Sequence, residues 1–454
     1  MAATPAAVIV EPSEPVPDKG LIERLLSPIA DVHRGESVSA LLLTLTMFLL
    51  LGGYYLLKTA REGFILSEGG AEVKSYSSAG QALLLLVLVP AYGSLASRVS
   101  RIHLIQWVTL FFAGNLGLFL LAIASGLRIG IVYFLWVGIF NVMVIAQFWG
   151  FAADLYTEEQ GKRLFPLIGV GASLGAWMGS MRAGVLVKGA GPARLLVGGA
   201  VVLVVCVVLA RMADRLTPRT TKAARPVDEK LAAGPSGFRM LLDDRYLLLM
   251  ALLVLLLNVV NSSGEYLFGR YVVNYAVDTF GGGAAAEAAR SQFISETYSS
   301  YFGWVNLIGF LLQMFVVSRV FQFLGVGRAL FIHPAVAFVG YVGMLFAPSF
   351  GFIRWLKVAD NSLDYSLGNT TKQALWLPTS REAKYKAKQA VDSFFQRAGD
   401  VLQAAVVYSG ELTALSIAGF AALNLVFVCG WFGVAGGLRR RLRARAVAAG
   451  GNEW

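Results

Sequence analysis

The chain has 454 residues, of which 56% are hydrophobic, and a formal net charge of +11; its mean hydropathy is +0.64. A length that suits two or three soluble domains is filled by runs apolar on every face, such as "ALLLTLTMFLLLGGYYLL" (40–57), where a soluble helix would carry one apolar stripe. This excludes a soluble domain and predicts an all-α polytopic membrane protein.

Residues 1–36 open "MAATPAAVIVEPSEPVPDKG", with no basic stretch leading into an apolar one, so no signal peptide is expected. They read as a flexible cytoplasmic tail with a short amphipathic piece, "LIERLLSPIADV". About twelve segments near bilayer thickness follow, at roughly 37–57, 73–97, 103–125, 129–152, 164–187, 193–213, 245–268, 295–318, 327–347, 350–369, 390–409 and 412–436. The tenth and eleventh are the least apolar; without them the count is ten. The polar, basic stretch 214–244 divides the rest into two six-helix bundles, 37–213 and 245–436, and 437–454 forms a basic tail.

With the N-terminus placed in the cytoplasm, Lys and Arg favour the inner segments by about three to one, the positive-inside pattern. Both termini are then cytoplasmic, and the membrane expected is a bacterial cytoplasmic membrane. The run "RRRLRAR" (439–445) reads as a topology anchor that can also touch anionic membrane lipid. It does not read as a site for a nucleic acid polymer. Cys206 and Cys429 lie in apolar spans and read as small core residues. Three histidines and no Cys/His cluster give no zinc pattern; no metal and no cofactor are expected.

The inner loops of the two halves echo each other. "YGSLASRVSRIHLI" (92–105) has its counterpart in "VVSRVFQFLGVGRALF" (316–331), and "DLYTEEQGKRLFPLIG" (154–169) in "TKQALWLPTSREAKYKAKQ" (371–389). Such a repeat suits a secondary transporter with its site between the halves at mid-membrane; basic inner loops alone would follow from the positive-inside rule. In "GVGASLGAWMGS" (169–180), Gly171, Gly175 and Gly179 stand four apart, a spacing for close helix packing and not a phosphate loop.

Ionisable residues inside a bilayer usually face a cavity or a partner. Four polar stripes stand out. At the end of the first span are Tyr54, Lys58, Arg61 and Glu62. In the seventh are Asn258, Asn261, Ser262 and Glu265. In the tenth, Lys357, Asn361, Asp364 and Gly368 share a face, with Asp360 about 60° away. In the eleventh are Asp392, Gln396, Asp400 and Gln403, with Arg397 within reach of Asp400. The alternatives are snorkelling at the outer interface for Lys58, Arg61 and Glu62, and structural ion pairs in the tenth and eleventh spans. Stripes on four spans favour a polar pathway for a small charged solute. Asp243-Asp244 reads as a helix cap.

At these residues the chain resembles the nucleotide transporter family of bacterial and plastid ATP/ADP translocases, itself similar to the major facilitator architecture. The likeness runs from about Tyr54 to Gly410. It is carried by "YYLLKTAREGF…GAEV" (54–73), "FWGFAADLYTEEQGKRLFPLIGVGA" (148–172) and "DYSLGNTTKQALWLPTSREAKYKAKQAVD" (364–392). Lys58 resembles the family's first-span lysine and Glu265 its seventh-span glutamate. The fourth-span glutamate has no acidic counterpart in 133–150. Asp364 stands where the exchangers tend to carry lysine, and their following acidic pair becomes Asn369 and Gln373, with Lys372 kept.

The resemblance implies an alternating-access transporter of a small charged solute, with nucleotide-like exchange; a membrane enzyme of lipid or glycan transfer would need a catalytic cluster at a membrane face, and the sequence offers none. Two other readings stay open: a proton-coupled carrier of another metabolite, using Asp360, Asp364, Asp400 or Glu265, and a non-transporting membrane accessory protein. The oligomeric state is not set by the sequence.

Overall fold

The computed structural model describes residues 32–33, 35–96, 101–189, 191–217, 237–346, 349–380 and 382–448. The amphipathic piece of the N-terminal tail, most of the 214–244 linker and the inner turn at 97–100 lie outside the described residues, save Val32 at the end of that piece.

The described chain is built of helices. The first, α1 (37–69), continues well beyond the expected end at 57. It stops at Gly70, whose φ of 74° and ψ of −173° fall where residues with a side chain rarely go. Helix α2 (71–96) then folds back along α1. Glu62 and Lys74 would stand ~18 Å apart on a straight helix, yet the lysine ammonium lies 2.7 Å from the carboxylate. Next come α3 (Arg101–Ala124), α4 (Gly130–Leu155), α5 (Glu158–Val187) and α6 (Ala193–Leu216). Thr157 and Gln160 form a reciprocal cap at the start of α5.

A short helix, Gly237–Asp243, precedes α7 (Arg245–Phe280). Asp244 caps α7 by accepting from the Tyr246 N–H at 2.8 Å, as the sequence suggested. The rest are α8 (287–324), α9 (326–346), α10 (350–374), α11 (383–412) and α12 (Ile417–Ala448). Among the described residues nine helices are long and apolar enough to cross a membrane, with α1 and α2 taken together as one. α10 and α11, the two spans that the sequence marks as least apolar, are not among these nine; with them, and with α1 and α2 taken separately, these helices number twelve.

Three details add to or differ from the expectation. Through the basic segment after 436, α12 continues to Ala448. Cys429 is exposed on α12, while Cys206 is buried; a free thiol tolerates a lipid-facing position. Finally, α8, α10 and α11 contain π turns, at Leu312–Val316, Asp364–Gly368, Ala383–Ala387 and Val391–Phe395.

Glycines set the packing of the first half. A Cβ on Gly171 would meet Thr44, one on Gly175 the Phe48 carbonyl, and one on Gly179 the backbone of Gly52. α5 therefore lies directly against α1, the packing role expected for that spacing. The halves meet where α5 faces α8, α2 faces α11 and α1 faces α8. The side on which α1 begins and α12 ends is termed the terminal side; the other is the far side.

Candidate functional site

Lys58, Arg61 and Glu62 do not lie at an interface, because α1 runs on to residue 69. They are set i, i+3 and i+4, so they share one face, and that face looks into the seam between the halves. Glu62 is 0% exposed. Arg61 donates to its Oε1 from Nε at 3.1 Å and from Nη2. The Lys74 ammonium sits 2.7 Å from Oε2, a charge contact more than a well-angled hydrogen bond. Burial on this scale is tolerable only because the charges are paired. The Arg61 guanidinium also lies 4.5 Å from the Phe134 ring centre.

From Lys74 the network crosses to the second half. Its ammonium is 3.9 Å from Glu265, whose side chain is 36% exposed. The other Glu265 oxygen faces Asn361 Nδ2 at 3.4 Å, which also donates to the Tyr301 hydroxyl at 2.5 Å. The charges of Lys74, Lys357 and Lys58 all bear on Glu265.

Deeper in the second half, the buried Lys357 ammonium donates to Asn261 Oδ1 at 2.5 Å and to Asp360 Oδ2 at 2.9 Å. Asp360 Oδ1 lies 3.0 Å from His333 Nε2. Asp364 does not join this group. The π turn that starts there widens the helix by a residue, and Asp364 contacts Lys372 at 3.4 Å.

The eleventh-span stripe separates. Asp400 accepts from Asn258 at 2.8 Å and Ser262 at 3.0 Å and pairs with Arg397 at 3.8 Å, which ties α11 to α7 within one half. Asp392 is 46% exposed and pairs with Lys388 one turn away, apart from the rest.

Lys58 differs from the other cations. Its ammonium has no carboxylate within ion-pair distance among the described residues. It lies over aromatic faces, 4.2 Å from the Phe302 centroid and 5.2 Å from Tyr55, an arrangement that attracts a cation. One turn towards the terminal side, Tyr55 lines a cavity of ≈ 250 Å³ between the halves, with Ala176, Asn306, Gly309, Gln313 and Tyr365. Lys58, one turn further towards the far side, is not itself among the residues that line that space.

Beyond Lys58 the halves are joined. Ser291 Oγ donates to the Gly63 carbonyl at 3.1 Å; nearer the cavity, Ser299 Oγ donates to the Ser180 carbonyl at 2.6 Å. Arg270 pairs with Glu72 at 3.8 Å and Glu411 at 3.2 Å.

The sequence reading missed Lys74, His333, Glu72, Arg270 and Glu411. His333 had a usable signal, an ionisable group in an apolar run. Lys74 had only the Gly69-Gly70 pair as a sign of the turn that brings it back. Among the described residues, no group of three or more His, Cys, Asp or Glu is placed to hold a metal.

Residues 129–435 match the family model described as "TLC ATP/ADP transporter". The ADP,ATP carrier protein 1 of Chlamydia muridarum (strain MoPn / Nigg) is 24% identical over 328 residues, 61% of this chain and 58% of that carrier. Its namesake from Chlamydia trachomatis serovar D is 26% identical over 320 residues, with 61% and 58% covered. The matched part therefore spans less than two thirds of the length of these carriers. Among solved structures, the nucleoside transporter NupG has a TM-score of 0.61 at 14% identity, covering 88% of this chain and 98% of that one. A POT family transporter in complex with 5-aminolevulinic acid has a TM-score of 0.61 at 12% identity, covering 88% and 96%. At such identities the likeness carries the fold.

Proposed function

The chain belongs to the TLC ATP/ADP transporter family, and we propose that it exchanges a small anionic, nucleotide-like solute across a bacterial cytoplasmic membrane by alternating access. In this reading 37–213 and 245–436 are the two moving bundles, and both chain ends are cytoplasmic. The observation that carries it is Lys58. Of Lys58, Arg61, Lys74 and Lys357, which face Glu62, Glu265 and Asp360 across the middle of the seam, Lys58 alone has no carboxylate within ion-pair distance among the described residues. That lysine lies one turn beyond Tyr55 of the inter-half cavity, over the rings of Tyr55 and Phe302, which can also stack on a base. Asp364 and Lys372 neutralise each other, so they add no net charge for phosphates.

The test is thermal stabilisation of the purified protein across nucleotides, phosphate and other anions, followed by counterflow in proteoliposomes. A ligand at a hundred times its Kd stabilises by about 2.7 kcal/mol. A nucleotide response lost in Lys58→Ala supports the reading; a response to other anions only sinks the nucleotide assignment. The half-exposed Glu265 favours a second reading, proton-coupled carriage of another metabolite. That reading requires Glu265→Gln to abolish the pH dependence of uptake.

A further inference from the structure

A second cavity, of ≈ 770 Å³, lies away from the seam between the halves, on the terminal side of the second half. The sharp turn at Gly325, with φ of 74°, closes one wall between the end of α8 and Arg328 at the start of α9. The end of α10 and the turn that follows it supply the floor, with Gln373 and Leu377. The continuation of α12 past residue 436 supplies the other wall with Arg439 and Arg443, which share a face at i, i+4. The Arg439 guanidinium is positioned 5.9 Å from the Phe331 ring centre.

Two properties of this groove point to one occupant. Its lining holds three guanidinium groups and no carboxylate, and guanidinium forks match phosphate oxygens. Its lip is apolar: Phe323 is 71% exposed, Leu324 42% and Leu377 57%. The groove sits where α12 passes from apolar residues into "RRRLRAR", the level at which hydrocarbon gives way to head groups. A dissolved phosphate would satisfy the arginines and leave the lip in water. An anionic phospholipid satisfies both, and basic pockets between helix ends are a recurrent form of such recognition.

We propose that this groove is a binding site for one anionic phospholipid, with its phosphate between Arg328 and the Arg439–Arg443 face and its acyl chains against Phe323, Leu324 and Leu377. The bound lipid links the ends of α8, α10 and α12.

The experiment uses the full chain in neutral detergent, titrated with phosphatidylglycerol, phosphatidylcholine or inorganic phosphate, with retained lipid read by native mass spectrometry. The wild type is expected to retain phosphatidylglycerol over phosphatidylcholine. At about 1 kcal/mol per arginine near the surface, the Arg328→Gln/Arg439→Gln double variant binds about thirtyfold more weakly. Gln373→Glu, which puts a carboxylate on the floor, weakens binding as well. Arg440→Gln/Arg441→Gln, at exposed positions outside the groove lining, keeps it. Melting in lipid-free detergent confirms that each variant is folded. Equal loss in both double variants would reduce the effect to the general basicity of α12 and overturn the site. Equal retention of phosphatidylcholine, or displacement of the lipid by millimolar phosphate, would overturn the choice of occupant.

Discussion

Glu62 carries more of the site than any other single side chain, because it neutralises Arg61 and Lys74 where water does not reach. Removing one partner of a buried pair leaves its charge uncompensated, at about 3–5 kcal/mol. Glu62→Gln should therefore lower the melting temperature sharply, and adding Lys74→Met should restore part of the loss; equal melting of wild type and Glu62→Gln would contradict the pairing. Glu36, just outside the membrane, makes a different prediction. Burial pushes its carboxyl up, but hydrogen bonds from Arg163, the His33 N–H and Gln160, with the Arg163 charge, outweigh this and hold it below the usual 4.5. A depressed carboxyl stabilises the fold above its usual value and loses that contribution as pH falls through its folded value. The melting temperature of wild type should exceed that of Glu36→Gln at pH 6, and the gap should close as pH drops below about 4.5. The stripe Lys58–Arg61–Glu62 was legible as helical spacing. Lys74 was not, since its partner is reached only through the turn at Gly70.

Helix α5 shows how an element's sequence fixes its neighbour's distance. Gly169 faces open space, whereas a Cβ on Gly179 runs into the backbone of Gly52. Gly179→Ala should cost about 1–3 kcal/mol by overpacking. Gly169→Ala on the same helix should be neutral or stabilising by up to about 1 kcal/mol. Thermal melts of the two variants side by side would decide this, and equal effects would show that α1 and α5 are not in backbone contact. That packing was legible from the four-residue spacing. The π turns were not. A regular helix puts Lys357, Asn361, Asp364 and Gly368 on one face, so the reading placed Asp364 with the others. The turn from Asp364 to Gly368 is a π turn, and Asp364 pairs with Lys372 and not with Lys357; no single residue type marks where an extra residue enters a turn.

At the scale of the whole molecule, the halves are fastened on the far side and the inter-half cavity lies on the terminal side. The two-bundle organisation was legible from hydropathy and the basic linker; which side is shut was not, because closure depends on pairings between distant helices such as Glu72 with Arg270. Gly63 lies under Ser291 and Ser295 in the fastened region, so Gly63→Val is a wedge placed between the halves. Strain of about 2 kcal/mol changes the ratio of two conformers about thirtyfold. With Cys206 and Cys429 replaced, a cysteine at Asn306 should react from the terminal side in the parent and increasingly from the far side in Gly63→Val. Unchanged labelling would mean that the far-side seam does not open. The turn at Gly70 decides how that seam can part. One residue joins α1 to α2 and leaves no slack, so the hairpin swings as a single lever arm. Glu62 and Lys74 are carried on the same arm, while Glu265 stays with the opposite body. Such a swing would part the 3.9 Å contact between Lys74 and Glu265 along with those of Glu72 with Arg270 and Gly63 with Ser291, and would spare the 2.7 Å one between Lys74 and Glu62. Neither side of the parted seam would then be left with a bare, unmatched carboxylate from the Glu62 pair.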